Sequence, residues 1–340
     1  MAASAVVIAV LIGVLIAWKL FTRFLVSPAS TSERHVTLVV PEGARSADLV
    51  ALLGKDGLVA DPGWFEAYVT RFRRPIQVNP GEYALATTMS PSEILDRIER
   101  GAVVTYTVTI PPGWRASRII GLLAEHGLGR EPELRALLED PKLPERLGLP
   151  AGAESIEGFL FPDAYSLPKG LSAEELLSAM VARYKKTVTK DLLEEARAVG
   201  LDELQLITLA SLIETDRVPA DERTQVAGVY HNRLKQALKL ENPATVAYGL
   251  GKDSAQVVSA DVDRPHPWNT YANPGLPPTP IASPSLAAIQ AAARPAKSDA
   301  LFFAPSGDAT HVFCPDEVCH RLAVQRWQKE QAQRPGTTSP

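Results

Sequence analysis

The stretch Leu204-Gln-Leu-Ile-Thr-Leu-Ala-Ser-Leu-Ile-Glu214 is apolar on almost every side and ends on a carboxylate. A helix that is hydrophobic all round lies inside a protein, so this stretch predicts a buried central helix. Ile207, Ala210 and Ser211 share the helical face of Glu214, and all three are small or apolar. Burial on that face would raise the pKa of the carboxyl and suit it to donate a proton. The alternative is that Glu214 only marks where a core helix meets water.

The composition describes an acidic protein with ample material for a core. The chain has 340 residues, a net charge of −4 and 46% hydrophobic residues, so two or three folding units are expected. No basic field or run of Lys and Arg with exposed aromatics occurs, and nucleic acid is therefore not expected as a partner. The 28 prolines, concentrated after Pro243, indicate long ordered loops.

Residues 1–18 carry no charged side chain, and the apolar stretch continues past Lys19 and Arg23. This length predicts a membrane-spanning anchor over residues 1–27. A cleaved signal peptide is the alternative, but the segment lacks a positively charged start and a good cleavage site. The two basic residues favour a cytoplasmic position for the flank that follows, although large domains cross a membrane largely regardless of charge.

Residues 35–104 predict a compact α+β module after a short linker at residues 28–34. Its expected elements are a strand, two helices, a second strand and a third helix, over residues 35–40, 46–54, 62–71, 81–85 and 91–100. The opening of the module recurs 70 residues later, where Val40-Pro-Glu-Gly-Ala-Arg45 matches Ile110-Pro-Pro-Gly-Trp-Arg115. A single duplication is too short for a solenoid, so residues 105–135 are expected to repeat the start of the module and lead into a larger domain.

Three parts of the chain carry groups that suit sugar binding. Glu157-Gly-Phe-Leu-Phe-Pro-Asp-Ala-Tyr165 mixes aromatic rings with carboxylates, although a structural turn fits equally well. A second helix after Glu214 should pack on the first and ends with Asn232 and Arg233, which either reach a substrate or pair with nearby carboxylates. Rigid loops that suit a polymer-binding groove follow at residues 245–249, 266–271 and 275–281.

Cys314 and Cys319 lie close together near the C-terminus. In an exported protein they would form a small-loop disulfide, but two unpaired thiols are equally compatible with the sequence. His311 and His320 lie nearby, yet no HExxH or paired CxxC motif accompanies them. We therefore expect no metal site.

Several separated motifs, in order, resemble the MltG/YceG-like family of membrane-anchored endolytic murein transglycosylases. The matching segments are Leu209-Ala-Ser-Leu-Ile-Glu214, Glu222-Arg223, Val226-Ala-Gly-Val-Tyr-His-Asn-Arg-Leu234, Trp268-Asn-Thr-Tyr271 and Gly275-Leu-Pro-Pro278, with Glu157 to Asp163 and Ile110 to Gly113. The resemblance runs from about His35 to Arg326. The chain departs from the family at Asp216, where a second Glu is usual, and in the loop that begins at Glu241.

The resemblance implies an α+β fold with an N-terminal transmembrane helix. A LysM-like α+β module over residues 35–104 and an α+β catalytic domain with a buried central helix over residues 105–330 would follow, with a flexible tail at residues 331–340. The family's place in the cell envelope implies a single-pass protein of the bacterial inner membrane, with the catalytic domain on the outer side.

The family cleaves the β-1,4 bond between N-acetylmuramic acid and N-acetylglucosamine inside glycan strands and leaves 1,6-anhydromuramic ends. The resemblance implies that Glu214 protonates the glycosidic oxygen and then helps the muramyl C6 hydroxyl attack the anomeric carbon. No cofactor is implied, and the expected partners are peptidoglycan glycan strands and peptidoglycan synthases. The candidate substrate-binding residues are Glu157, Asn232, Arg233, Glu241, Thr245, Asn269, Thr270 and Tyr271.

Three other functions compete with this one. A catalytically silent peptidoglycan-binding scaffold is the main alternative, and the altered loop at Glu241 favours it. A muramidase that uses water would differ in the mass of its product. A serine hydrolase is disfavoured because the chain contains no GxSxG nucleophile elbow.

Overall fold

A computed structural model of the protein describes residues 2–72, 76–307 and 310–333. The chain divides into two compact units, one formed by Met1–Thr107 with Ser166–Leu171 and the other by Val108–Tyr165 with Ser172–Pro340. The mixed α+β class expected from the sequence is confirmed. In the described residues, strands pair two by two as β1 with β2, β3 with β4 and β5 with β6, where the elements are numbered in chain order as follows.

The elements that begin in the first unit are α1 (Ala2–Val26), β1 (His35–Val40), α2 (Ser46–Lys55), α3 (Pro62–Ala67), a π-helical turn (Tyr68–Phe72), β2 (Gly81–Ala86), α4 (Pro91–Glu99) and β3 (Thr105–Thr109). Those that follow are α5 (Ala116–Glu125), α6 (Glu131–Leu138), α7 (Leu143–Arg146), β4 (Ala164–Pro168), α8 (Ala173–Thr187), α9 (Lys190–Ala198), α10 (Glu203–Thr215), α11 (Arg223–Lys235), α12 (Pro243–Gly249), α13 (Ser259–Val262), α14 (Leu286–Ala293), β5 (Phe302–Pro305), β6 (His311–Cys314) and α15 (Glu317–Gln333).

The first unit has the strand and helix order that the sequence predicts. β1 and β2 pair antiparallel, with Leu38 opposite Tyr83, and both side chains lie in a core that α2, α3 and α4 complete. The predicted second helix is shorter than expected, because the α-helix ends at Ala67 and a π-helical turn continues it. The assignment of this module as LysM-like stays a prediction.

The ends of the chain match the sequence predictions less fully. Among the residues that the structure describes, no helix combines the length and the apolar character that crossing a membrane requires. The predicted anchor at residues 1–27 is therefore not confirmed, and residue 1 and several side chains of α1 lie outside the described part. At the other end α15 continues to Gln333, so the predicted tail begins as helix, and residues 334–340 lie outside the described residues.

The duplication seen in the sequence is also a duplication of local structure. Gly43 and Gly113 both have positive φ, at 74° and 76°, and each turns the chain from a strand into a ten-residue helix. Gly57 and Gly127 both have a φ of 66° and end those helices. Positive φ favours glycine because a Cβ atom would clash there, which explains why the glycines recur at the same offset.

The second unit is built around α10, the buried helix that the opening stretch predicts. A capping box starts it, because the amide of Gln205 donates to Asp202 and the amide of Asp202 donates to Gln205. Every residue from 206 to 213 is buried, and the helix packs against α9, α11, α12 and α14. Arg217, with a φ of 54°, ends it two residues before Pro219.

The two cysteines are bonded to each other. Cys314 ends β6, and its disulfide to Cys319 in the first turns of α15 spans a Cα–Cα distance of 5.5 Å. The structure thereby decides between the two alternatives that the sequence leaves open. The bond ties the C-terminal helix to the β5–β6 hairpin.

Candidate active site

The carboxylate of Glu214 lies at the end of the buried helix, with its side chain 9% exposed. Its Oε2 atom accepts two hydrogen bonds from Ser285, one from the backbone N–H at 2.9 Å and one from the hydroxyl. Its Oε1 atom lies 3.8 Å from Nη2 of Arg223. Among the described residues Oε1 accepts no hydrogen bond, so the two oxygens of this carboxylate differ in their contacts.

Ser285 contacts Glu214 from the N-cap position of α14, another helix with a buried face. Its hydroxyl oxygen accepts a hydrogen bond from the amide of Ala288 at 3.2 Å and so caps α14. The positive end of that helix therefore faces the carboxylate. A serine before an apolar run is a visible capping signal, but nothing in the sequence connects it with an acid 71 residues earlier in the chain.

Residues 281–285, which we call the strap, cross the end of α10 and carry Ser285 to its place. The hydroxyl of Ser211 accepts a hydrogen bond from the amide of Ile281 at 3.1 Å. The sequence predicts that Ser211 is a small neighbour of Glu214 on the same helix face. It also attaches the strap to the helix that carries the acid.

Residues 111–115, the Gly113 turn, pair with the strap through backbone hydrogen bonds. The amide of Gly113 donates to the carbonyl of Ser283, and the amide of Ser283 donates to the carbonyl of Trp114, each at 2.8 Å. A Cβ atom at Gly113 would lie 3.8 Å from Cγ of Glu214. The turn, the strap and the end of α10 therefore surround the acid.

Glu157 lies inside the protein, although the sequence indicated a contact with glycan. Its side chain is 6% exposed, and Oε1 accepts the amide hydrogen of Ala116 at 3.0 Å. The hydroxyl of Tyr248 donates to Oε2 at 3.4 Å. Burial raises the pKa of Glu157 to about 7, against the lowering effects of the Ala116 amide and the Arg115 guanidinium.

Asp216, the shortened second acid of the family motif, forms a separate polar cluster. Its oxygens accept hydrogen bonds from the hydroxyl of Tyr230 at 2.8 Å and from Nδ2 of Asn242 at 2.9 Å. Burial raises its pKa to about 7. This cluster borders a groove of about 750 Å³, which Arg233, Glu241 and Tyr271 also line.

Two of the predicted substrate contacts hold a neighbouring segment of the chain. Nδ2 of Asn232 donates to the carbonyls of Ser298 and Ala300, each at 2.9 Å. Arg233 donates to the carbonyl of Leu301 at 2.7 Å and to the carboxylate of Glu241 at 2.9 Å. Asn232 and Arg233 thus make the contacts expected of residues that close a helix and pair with a nearby carboxylate. Their binding of glycan stays a prediction.

Three others are almost completely buried. Thr245, Asn269 and Thr270 are each at most 1% exposed. The hydroxyls of Thr245 and Thr270 lie 2.9 Å apart, and Nδ2 of Asn269 donates to a carbonyl at the end of α13 and to one in the loop that follows. In the described structure these groups join α12 to the loop after α13, and their predicted contact with a substrate remains untested.

The family motif at residues 275–278 borders a second groove, of about 530 Å³, with residues of α10 and α11 and the turn that follows α9. Glu214 lines neither of the two grooves. The sequence pointed to the acid, but it did not indicate which residues contact it. Arg223 was visible only as part of a family motif, and Ser285 and the Gly113 turn reach the acid through tertiary contacts.

Comparisons with known proteins agree with the motifs. An endolytic murein transglycosylase of Streptococcus pneumoniae serotype 2 (strain D39 / NCTC 7466) is 29% identical over 303 residues, which are 81% of this chain and 55% of that protein. One of Bacillus subtilis (strain 168) is 26% identical over 326 residues, 91% of this chain and 89% of that protein. The chain thus spans about half the length of the streptococcal relative.

The fold has a counterpart among solved structures. The crystal structure of a YceG-like protein from Listeria monocytogenes superposes with a TM-score of 0.59 at 24% identity and covers 86% of this chain and 99% of its own. The YceG-like family itself matches residues 38–326, which confirms the resemblance inferred from the motifs. Because that match covers most of the sequence, the chain belongs to the YceG-like family.

Proposed function

We propose that the protein is an endolytic lytic transglycosylase that cleaves the bond between N-acetylmuramic acid and N-acetylglucosamine within peptidoglycan strands. Glu214 is its catalytic acid. The observation that carries the proposal is the asymmetry of this carboxylate, whose Oε2 is held by Ser285 while Oε1 accepts no hydrogen bond from the described residues. The names of the streptococcal and Bacillus relatives support the same reaction.

The reaction needs one acid because the substrate supplies its own nucleophile. A proton on Oε1 passes to the bridging oxygen as the bond from that oxygen to the anomeric carbon breaks. The muramyl C6 oxygen then bonds to the anomeric carbon, and its proton returns to Glu214, so no water is consumed and an anhydro end forms. Arg223, 3.8 Å from Oε1, stabilises the carboxylate that exists between the two proton transfers.

The proposal includes a place outside the cytoplasm. The bond between Cys314 and Cys319 supports it, because disulfides persist in oxidising compartments. The uncharged residues 1–18 support anchoring to the bacterial inner membrane, and a LysM-like module would hold glycan beside peptidoglycan synthases. Protease treatment of cells with a permeabilised outer envelope tests this topology, since digestion of the catalytic unit is expected only if it lies outside.

Mass spectrometry of the products from purified sacculi tests the reaction. The protein should release anhydromuramic ends, and Glu214→Gln should abolish them while the folded state persists. Glu194→Gln changes an exposed glutamate of α9 and is the matched control. Products heavier by one water would indicate a muramidase, and binding to sacculi without new ends would indicate the silent scaffold. Full activity of Glu214→Gln would refute the assignment of the acid.

A further inference from the structure

The buried carboxylate of Glu157 holds the first residue of α5. The amide of Ala116 donates to its Oε1 at 3.0 Å, and Ala116 directly follows the Gly113 turn. A buried N–H group must find an acceptor, since leaving it unpaired is costly. The carboxylate therefore supplies the acceptor for the first amide of α5, directly after the turn.

The loop that carries Glu157 also contacts the chain beside the strap. Gly158 has a φ of 84°, and a Cβ atom built on it would overlap Pro280, the residue before the strap. The same atom would lie 3.1 Å from Cγ2 of Ile207 in α10. Glu157 and Gly158 thus contact the residue that follows the Gly113 turn and the residue that precedes the strap.

The two copies of the duplicated segment, which begin at Val40 and at Ile110, differ in this arrangement. In the first copy, Asp48 accepts the amide hydrogen of Arg45 at 2.9 Å, so the helix start is closed by its own residues. The position of Asp48 is occupied in the second copy by Arg118, whose guanidinium lies 3.9 Å from the centre of the Trp114 ring. In the second copy a carboxylate from a distant segment, Glu157, accepts instead the amide hydrogen of Ala116, the residue after the counterpart of Arg45.

From these contacts we infer that Glu157 is a positioning residue for the catalytic acid and acts through the Gly113 turn and the strap. Glu157 holds the end of the turn, and the turn pairs with the strap at Ser283. The strap in turn presents Ser285 to Oε2 of Glu214. This inference rests on the proposed role of Glu214 as the acid, and it replaces direct glycan binding as the role of Glu157.

Steady-state kinetics of three variants test the inference. Glu157→Ala is expected to lower kcat by about tenfold to a hundredfold, because displacing a catalytic group slightly has effects of this size, and to change KM by less than about threefold. Glu157→Gln should restore kcat, since its amide oxygen can accept from Ala116. Glu154→Gln, an exposed glutamate three residues earlier, is the matched control. A raised KM with unchanged kcat would overturn the inference in favour of a glycan contact.

Hydrogen exchange gives a second readout that does not depend on activity. Glu157→Ala should speed amide exchange in peptides covering residues 113–116 and 281–285 by about tenfold, while the two glutamine variants exchange like the unaltered protein. Unchanged exchange in a folded Glu157→Ala protein would overturn the inference, even if Glu214 proved not to be the acid. If the alanine variant does not fold, Glu157→Asp replaces it, because its carboxylate is one methylene too short for Ala116.

Discussion

The hydroxyl of Ser285 both caps α14 and donates a hydrogen bond to Glu214, and replacing Ser285 removes both interactions. In Ser285→Ala, α14 loses its cap, which is typically worth about 1 kcal/mol, and Glu214 loses one of two hydrogen-bond donors. Since hydrogen bonds to charged groups contribute about 1.5–3 kcal/mol, we expect a total loss of at least about 2 kcal/mol. In a unit of this size, that loss lowers the unfolding temperature by about 4–8 °C.

Calorimetry and product release, measured on the same preparations, test this expectation. Ser172→Ala is the matched control, because Ser172 caps α8 and also donates to a glutamate, but of its own helix. The control should lose stability and keep activity, whereas Ser285→Ala should lose both. Ser285→Thr should retain most of both, since its hydroxyl can cap the helix and donate to Glu214. An unfolding temperature and activity of Ser285→Ala equal to those of the unaltered protein would refute the reasoning.

Two further predictions concern stability. Gly158→Ala adds a Cβ atom that overlaps Pro280 at a φ of 84°, whereas Gly200→Ala adds one at a φ of 89° with no atom within 4 Å. Calorimetry should therefore show that Gly158→Ala destabilises the protein by about 1–3 kcal/mol more than Gly200→Ala does. Equal losses of stability would contradict the overlap. Because burial raises the pKa of Asp216 from 3.8 to about 7, its favourable effect on stability is complete below pH 3.8 and disappears as the pH rises through 7. In denaturant titrations, the free energy of unfolding of Asp216→Asn should therefore rise relative to that of the unaltered protein by up to about 4 kcal/mol between pH 3.8 and pH 7. A difference in stability that does not change with pH would show that burial does not raise the pKa of Asp216.

Much of the local structure could be read from the sequence because its causes lie within a few residues. The apolar run before Glu214 predicted a buried helix, and residues 206–213 of α10 are buried. The capping pair of Ser90 and Glu93 begins α4 where the sequence placed it. Helix periodicity, caps and glycine turns involve neighbours three or four positions apart, so pattern alone identifies them.

The residues predicted to bind sugar show where such patterns stop being informative. Glu157, Asn232 and Thr245 have the chemistry that a glycan groove needs, but in the structure their polar atoms hold α5, the segment after α14, and α12. A polar side chain satisfies a buried backbone group or binds a ligand with the same atoms. The sequence cannot distinguish these uses, since both require the same residue types.

The sequence alone therefore established the family, the central helix and the identity of the proposed acid, because each depends on order and spacing along the chain. Only the tertiary structure decided what contacts that acid: Ser285 is 71 residues away, and Glu157 reaches the amide of Ala116 over 41 residues. Contacts between residues so far apart in the chain depend on how the helices pack, and not on which residues are neighbours in the sequence. The carboxylate that ends this run obtains its contacts from the strap and the Gly113 turn, which folding brings against it.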